Sequence, residues 1–471
     1  MGIRSQRFRA PAKLWALLGF MALAFFVQGQ AAHAATITVN TTADAFNANG
    51  DCSLHEALEA ANQDHAVDGC RAGSGADTIV VPAGTYALTS GNELDVVSDV
   101  SISGAGASAT ILDAVGLGRV FANVSGSSAI SGVTIRNGNQ NGGGGIFTVA
   151  GSSLTLSQST VSGNRAGFGG GGGIENFGSL TLKQTMVKGN QADCCGGAID
   201  NFGTATLLQS TIGDNSSGFV GGIQNNDGAV LTLKGTTVSG NSAPFGGGIW
   251  NFAGTLNVSG STVSGNTATV GTPGGIENFT GGTATVTATR VVGNTANFGA
   301  GIDNLGALTL NGSTVSGNTT VSGIGGGIHN DGGRLALNGS NVMSNTATGV
   351  DVSGGGISTS GGTLTLNESS VTGNHSTGSG GSGGGISNGG PGTLQGPSVV
   401  TLNESSVSGN TATALGGGVY NAAGGSLALK ESAVTANVAD INGGGIYNTG
   451  GAVTLIESIL SGNVPNDCVG C

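Results

Sequence analysis

The sequence predicts an all-β fold, a right-handed parallel β-helix of roughly 15 coils with a small helix-and-strand cap at its N-terminal end. A repeat of about 26 residues runs through most of the chain. Short stretches within each repeat alternate apolar and polar residues, which is typical of strands. Glycine accounts for 94 of the 471 residues, and only 8% of residues are charged against 37% hydrophobic. Disordered chains are usually charged and poor in apolar residues, so this composition indicates a folded repeat protein.

The repeat unit reads L-T-L-x-x-S-T-V-S-G-N-x-A, then a variable loop, then G-G-G-I-x-N-x-G. Three short strands per unit leave no room for a crossover helix, so successive coils should stack in parallel at about 4.8 Å. The longest unit contains GSGGSGGG and GGPGTLQGPS, which indicates that extra length is absorbed in loops. Twelve copies align on one asparagine: Asn164, Asn190, Asn215, Asn241, Asn266, Asn294, Asn318, Asn345, Asn374, Asn410, Asn437 and Asn463.

Two internal stacks follow from this register. The isoleucine of G-G-G-I should form an apolar column along the core. Two residues later an asparagine occurs in ten of twelve copies, with Thr148 and Thr359 as the exceptions. Stacked asparagines bond amide to amide and satisfy polar groups at corners. We therefore expect a structural role for the asparagines.

The chain divides into five segments. Residues 1–34 read as a signal peptide, with a basic start, an apolar run and Ala32-His33-Ala34 as the cleavage pattern. Residues 35–76 form the N-terminal cap, 77–140 the irregular first coils, 141–463 the regular repeats, and 464–471 a C-terminal end that contains cysteine. This organisation predicts a secreted or cell-surface bacterial protein with no membrane span after cleavage.

The charge balance bears on possible partners. The chain carries 14 Lys and Arg against 26 Asp and Glu, and four of the basic residues lie in residues 1–34. The mature chain then has a net charge of about −16, which should repel nucleic acid and anionic membranes. The oligomeric state is left open.

The ends of a solenoid need caps against edge pairing. Residues 53–62 read as a short amphipathic helix, and Ser53 with Glu56 forms a capping-box pattern. Four cysteines near the two ends are expected to form disulfides rather than a zinc site: Cys52, Cys70, Cys468 and Cys471. The partners of the adjacent Cys194 and Cys195 are left open.

Three motifs carry resemblances. Cys52-Ser53-Leu54-His55-Glu56-Ala57 resembles the motif of the CSLREA domain, found at the N-termini of secreted bacterial β-helix proteins, with His55 in place of the usual Arg. Pro82-Ala83-Gly84-Thr85-Tyr86 is similar to the start of pectin-lyase-like β-helices. The repeat resembles those of chlamydial polymorphic outer-membrane proteins, which implies a β-helical surface adhesin. These resemblances imply the fold and leave the activity open.

One side chain per coil lies between the isoleucine and the asparagine, and we call this row the stripe. Alternation predicts that the stripe points outward and is solvated. Its members are Phe147, Glu175, Asp200, Gln224, Trp250, Glu277, Asp303, His329, Ser358, Ser387, Tyr420 and Tyr447.

The stripe supplies the candidate site residues. The acid pairs Glu175/Asp200 and Glu277/Asp303 lie on consecutive coils, about 5 Å apart, near the spacing of retaining glycosidases. Any two acids at this position on consecutive coils would have the same spacing. The distance is therefore no evidence for catalysis beyond the presence of the acids themselves. The acid pairs could also bind Ca²⁺; otherwise no cofactor or metal is expected. The candidate ligand-binding residues are Trp250, His329, Tyr420 and Tyr447.

Two functional hypotheses follow. The first is a non-catalytic secreted or surface rod that mediates adhesion or binds a polysaccharide or surface glycan. The second is a polysaccharide lyase or glycoside hydrolase that acts through the acids of the stripe. The motifs of other hydrolases and of polygalacturonases are absent from the sequence, which favours the first hypothesis.

Overall fold

A computed structural model describes residues 34–389 and 398–471. The predicted signal peptide, apart from Ala34, lies outside the described residues, as do residues 390–397 in the longest loop. The described chain is an all-β parallel solenoid of about 15 turns, as predicted, and its strands form three long sheets and one short sheet that run along its length.

The first sheet contains sixteen strands, one from nearly every coil. Leucine and valine alternate with threonine and serine in these strands, so one face enters the core. The strands are Thr36–Thr38, Asp77–Val81, Val100–Gly104, Ser127–Ser131, Ser153–Ser157, Ser179–Lys183, Thr204–Leu208, Val230–Lys234, Thr255–Ser259, Thr283–Thr287, Ala307–Asn311, Arg334–Asn338, Thr363–Asn367, Val399–Asn403, Ser426–Lys430 and Ala452–Ile456.

The second sheet carries the stripe and contains fifteen strands. The strands are Leu94–Val96, Phe121–Asn123, Ile146–Thr148, Ile174–Asn176, Ile199–Asn201, Ile223–Asn225, Ile249–Asn251, Ile276–Asn278, Ile302–Asn304, Ile328–Asp331, Ile357–Ser360, Ile386–Asn388, Val419–Asn421, Ile446–Asn448 and Cys468–Val469.

The third sheet also contains fifteen strands, and in the regular coils each is centred on one valine, isoleucine or leucine that is buried in every copy except the last. The strands are Gly84–Ala87, Thr110–Asp113, Thr134–Arg136, Thr160–Ser162, Met186–Lys188, Thr211–Gly213, Thr237–Ser239, Thr262–Ser264, Arg290–Val292, Thr314–Ser316, Asn341–Met343, Ser370–Thr372, Ser406–Ser408, Ala433–Thr435 and Ile459–Ser461.

The fourth sheet, of eleven two-residue strands, was not predicted. A segment of two residues is too short to show a period of two, so its pairing is visible only in the assembled coils. The strands are Arg165–Ala166, Gln191–Ala192, Ser216–Ser217, Ser242–Ala243, Thr267–Ala268, Thr295–Ala296, Thr319–Thr320, Thr346–Ala347, His375–Ser376, Thr411–Ala412 and Val438–Ala439.

The helix α1 (Leu54–Gln63) covers the open first coil, as the sequence predicts. Its N-cap Ser53 accepts a hydrogen bond from the Glu56 amide, while the Glu56 carboxylate accepts one from the Ser53 amide at 2.9 Å. Both halves of the predicted capping box are therefore present. The disulfide Cys52–Cys70 holds the helix to the following loop.

The other cysteines are also paired. Cys468–Cys471 closes the last residues of the chain. Cys194 is bonded to its neighbour Cys195, the pairing that the sequence left open, in a loop between the fourth and second sheets.

The core consists of columns of stacked apolar side chains. The predicted isoleucine column is completely buried from Ile146 to Ile446, with Val419 in one copy. Each member pairs in register with the next, as Ile174 does with Ile199. Because every coil buries its apolar face against its neighbours, no coil forms a core by itself.

Two asparagine ladders run beside these columns. In the predicted ladder, the Nδ2 of Asn176 donates to the Oδ1 of Asn201 at 2.7 Å, and this bond recurs in later coils. At one exception to the motif, the hydroxyl of Thr359 accepts from Asn330 in place of an amide. The asparagines that set the register form a second ladder, in which Asn215 donates to Asn241 at 2.9 Å.

We expect Asn241→Ala to lower the free energy of unfolding by about 3 kcal/mol or more. Asn241 accepts from both the amide and the side chain of Asn215, and it donates to the Oδ1 of Asn266. Truncation leaves these buried groups without partners. Chemical denaturation of the variant and the wild type measures the loss.

Asn338→Ala is the matched control. Asn338 belongs to a half-buried ladder on the first sheet, between Asn311 and Asn367, where water can replace the lost amide. Its loss should stay below about 1 kcal/mol. Equal losses for the two variants would contradict a stabilising role specific to the buried ladder.

Candidate functional site

The second sheet brings the predicted site residues into one continuous row. Glu175 pairs in register with Asp200, Glu277 with Asp303, and Asp303 with His329. The row continues toward the N-terminus through Phe147 and Ala122 to Asp95. The sequence missed this extension because the first coils depart from the repeat.

The prediction that the stripe is solvated is wrong for eight of its twelve members, and the other four are half-buried. Eight are buried: Glu175, Asp200, Trp250, Glu277, Asp303, His329, Ser358 and Ser387. Gln224, Phe147, Tyr420 and Tyr447 are half-buried. The four candidate acids are all less than a tenth exposed, so the acid pairs do not lie on an open face.

Glycine-rich loops are the reason for this burial. The loop before each strand of the second sheet folds back over the stripe and bonds to the loop of the next coil, as the Gly172 amide does to the Gly196 carbonyl. Close approach requires glycine: a Cβ at Gly142 (φ +74°) would lie 2.6 Å from Oε2 of Glu175, and one at Gly246 would lie 2.9 Å from Cε3 of Trp250. The alternation of residues predicts that the stripe side chains point away from the core. Whether they are then exposed to solvent depends on the glycine-rich loops that pack over them.

Burial changes the chemistry of the first acid pair. Burial, reinforced by Asp200, raises the pKa of Glu175 to about 7, although Arg119 opposes the shift. Burial also raises the pKa of Asp200 to about 6, against a hydrogen bond that Asp200 accepts from Asn226 at 2.6 Å. The second oxygen of Asp200 has no partner among the described residues. The pair therefore takes up protons well above the usual range for carboxyl groups.

The second acid pair is completed by a histidine. Burial, and then the neighbouring Asp303, raise the pKa of Glu277 well above its usual value. His329 donates from Nδ1 to Asp303 at 2.8 Å. Burial disfavours the charged imidazole, but the Asp303 carboxylate outweighs burial and raises the pKa of His329. The result is a buried ion pair beside a neutral acid. Nε2 of His329 and Oε2 of Glu277 have no hydrogen-bond partner among the described residues.

The predicted ligand-binding residues are placed differently from one another. Trp250 is 8% exposed, and its Nε1 has no partner in the described chain. His329 is also buried. Tyr420 and Tyr447 are half-buried and stack with ring centroids 6.0 Å apart. The structure thus leaves only the two tyrosines of this group partly open to a ligand.

Phenylalanines beside the stripe are the feature that sequence reasoning missed. Of the 15 phenylalanines, four lie in residues 1–33, and of the other eleven only Phe121 is buried. Eight of them flank the second sheet in two rows. The turn row follows the ladder asparagine and comprises Phe177, Phe202, Phe252 and Phe279; the loop row precedes the glycines and comprises Phe168, Phe219, Phe245 and Phe298.

The two rows meet over Trp250. Its ring lies 4.7 Å from that of Phe219 in the loop row and 6.3 Å from that of Phe279 in the turn row, between centroids. Phe177 and Phe202 stack at 4.6 Å, whereas Phe168 is 81% exposed. The recurrence of N-F after I-x in the sequence is the signal that could have revealed the turn row.

Metal and membrane features are limited. Within residues 34–389 and 398–471, no group of three or more His, Cys, Asp or Glu side chains could hold a metal ion. None of the helices in that part of the chain has the length and apolar character needed to cross a bilayer.

Comparisons with known proteins concern the fold. No protein-family profile matches the chain, and no curated protein matches it. It is similar in structure to the A-module of the Azotobacter vinelandii mannuronan C-5 epimerase AlgE6, with a TM-score of 0.29 and 12% identity over 81% of this chain and 90% of that chain. The AlgE4 A-module of the same organism gives a TM-score of 0.27 and 12% identity, over 83% and 90%. At these values the likeness carries no statement about activity.

The raised pKa of Glu175 predicts how stability depends on pH. Between its usual value of 4.5 and about 7, the unfolded chain loses this proton while the folded chain keeps it. Stability should therefore fall as the pH rises through this window and level off above it. Glu175→Gln should remove up to about 2 kcal/mol of this fall, after allowance for solvent screening. Denaturation curves across the pH range measure the difference.

Glu404→Gln provides the control, because Glu404 is an exposed acid on a regular coil. Its pH profile should follow that of the wild type. A Glu175→Gln profile that also overlays the wild type would contradict the inference that the buried Glu175 destabilises the fold when it ionises.

Proposed function

We propose that this protein is a secreted, non-catalytic β-helix that binds an extended neutral polysaccharide along the side of the rod that carries the phenylalanine rows. The observation that carries the proposal is the display of eight phenylalanines beside one sheet, whereas Phe121 is the one phenylalanine that is buried in residues 34–389 and 398–471. Exposed apolar groups gathered in one place mark interaction sites. The secreted location, the cap resemblance and an adhesive role belong to the same proposal.

The spacing of the rows favours a polymer as the ligand. Neighbouring rings within the rows lie 4.6 to 5.6 Å apart between centroids where they are in contact. A ligand that meets the same groups at every coil must itself repeat along its length, as an unbranched polysaccharide does. The exposed ring of Phe168 can pack on the C–H face of a sugar, and ring edges, which are positive, can meet hydroxyl oxygens.

Charge favours a neutral polysaccharide over an acidic one. The mature chain has a net charge of about −16, which repels polyanions at a distance. Arg165, three residues before Phe168 in the chain, is bonded to Asp193 at 2.7 Å and so is already paired. We therefore expect apolar packing and hydrogen bonds, and not ion pairs, to supply the affinity for the polysaccharide.

Burial of the four candidate acids removes the main support for the enzyme hypothesis. A glycosidase must bring both carboxylates to the scissile bond. Glu175, Asp200, Glu277 and Asp303 lie under glycine loops and are at most 6% exposed. A polysaccharide on the loop surface does not reach them without loop opening.

We expect the triple variant Phe168→Ala, Phe245→Ala and Phe298→Ala to bind neutral oligosaccharides at least about tenfold more weakly than the wild type. These rings are exposed on loops, so their removal should leave the fold intact. Affinity electrophoresis in gels that contain a β-glucan, a xylan or a mannan measures binding, with polymannuronate as the acidic comparison.

Met186→Ala is the matched control. Met186 is 38% exposed, which is close to the exposure of Phe245 and Phe298, but it lies on the third sheet. Its binding should equal that of the wild type. Loss of binding in both variants, or tighter binding to polymannuronate than to every neutral polymer, would contradict the proposal.

Catalysis is tested separately. The protein should release neither unsaturated products nor new reducing ends from neutral and acidic polysaccharides. Turnover that disappears in Glu175→Gln or Glu277→Gln would restore the lyase or hydrolase hypothesis.

A further inference from the structure

The adjacent cysteines take the place of a ring in the loop row. Phe168 and Phe219 are each the second residue after a two-residue strand of the fourth sheet. Cys194 holds the same position on the coil between them, after the strand Gln191–Ala192. This strand pairs in register with the fourth-sheet strands of both neighbouring coils. The disulfide that joins Cys194 to Cys195 therefore lies on a coil where the row of rings is interrupted.

Hydrogen bonds join the disulfide to the loops on both sides of it. The Gly169 amide donates to Sγ of Cys194 at 3.1 Å. On the other side, the carbonyl of Cys195 accepts from the hydroxyl of Ser217 at 2.9 Å and from the Val220 amide at 3.1 Å. Both cysteines are half-buried, and the contact with Gly169 lies at the exposed surface. The disulfide thus bridges the two loops that carry its neighbours in the row.

A relay of contacts links the disulfide to the rings that lie over Trp250. The hydroxyl of Ser217 that donates to Cys195 also accepts from the Phe219 amide at 2.9 Å. Phe219 in turn lies 4.7 Å from Trp250 and 5.6 Å from Phe245, between ring centroids. The position of Phe219 in the loop row is therefore coupled to the path of the chain at Cys195.

The disulfide restricts a backbone conformation that cysteine rarely adopts. Cys195 has a φ of +68°, in the left-handed region that disfavours residues with a Cβ. The ring closed by the bond between Cys194 and Cys195 includes the peptide group that joins them, so it limits rotation of the backbone there. Reduction opens this ring and lets Cys195 relax toward negative φ. The carbonyl that accepts from Ser217 and Val220 then moves with it.

We propose, resting on the function proposed for the phenylalanine rows, that the Cys194–Cys195 disulfide is a redox-sensitive part of the polysaccharide-binding face. It contacts the ligand between Phe168 and Phe219, and its reduction weakens binding. Two electrons and two protons from an added dithiol convert the S–S bond into two thiols, and the dithiol is oxidised to its own disulfide. The reduced loop no longer holds Phe219 in line with its neighbours, so a repeating ligand loses adjacent contacts.

Affinity electrophoresis of the oxidised and the dithiothreitol-reduced protein tests the proposal, in gels that contain a β-glucan, a xylan or a mannan. The reduced wild type should bind about tenfold more weakly than the oxidised wild type, and re-oxidation should restore binding. Far-UV circular dichroism should not change, which separates a local change from loss of the fold. Tryptophan emission should shift to longer wavelengths as Phe219 moves and water reaches Trp250. The shift should be absent from Trp250→Phe.

Two double variants separate this disulfide from the others. Cys194→Ser with Cys195→Ser should bind like the reduced wild type and should not respond to the dithiol. Cys468→Ser with Cys471→Ser, which removes the C-terminal disulfide, should bind and respond like the wild type.

The outcomes distinguish this inference from the proposed function. Equal binding by the oxidised wild type, the reduced wild type and the Cys194→Ser, Cys195→Ser variant would overturn the redox role and leave the polysaccharide face standing. A response to the dithiol that persists in that variant would assign the effect to another disulfide and also overturn the redox role. Absence of binding to every neutral polymer by the oxidised wild type would overturn both.

Discussion

Hydrogen bonding between consecutive coils is the constraint on which the rest of this structure depends. A buried asparagine such as Asn241 is bonded through its side chain to the coils before and after it, at Asn215 and Asn266. The backbone of each strand has the same requirement, because all the long sheets pair one coil with the next. No coil is satisfied alone, so the inward positions must repeat their residue type along the rod. Outward positions carry no such restriction and are free to differ.

The glycine loops change what those outward positions can do. They pack over the second sheet so closely that a side chain at Gly142 would collide with Glu175. Acids that would be solvated on an open sheet are instead held neutral, as Glu175 is below about pH 7, or paired, as Asp303 is with His329. Because the loops cover the acids, the side chains exposed on this side of the rod are loop phenylalanines such as Phe168 and Phe245.

The structure is least regular at the N-terminal end, where the sequence repeat has not yet begun. At the N-terminal end, α1 must meet coils whose sequence departs from the repeat, and the mismatch leaves a pocket rather than a close-packed seam. Charged residues gather there in a way that the regular coils do not allow, as Arg119, Glu93 and Asp95 show. A rod of this kind therefore offers two sorts of surface: a periodic side that carries the phenylalanine rows, and an irregular end that carries a pocket.

Much of this protein follows from its sequence alone. The period, the alternation and the G-G-G-I-x-N element determine the parallel solenoid, the buried isoleucine column and one asparagine ladder, because a stacked coil accepts few residues at its inward positions. The capping box at Ser53 and Glu56 is equally local. The second ladder, the two-residue strands and the cover over Glu175 are different. They arise from contacts between residues about one coil apart that no local pattern records. Tertiary structure also decided that Trp250 lies beneath phenylalanines, and that His55 and Asp95 share a pocket, since loop paths and not periodicity bring them together.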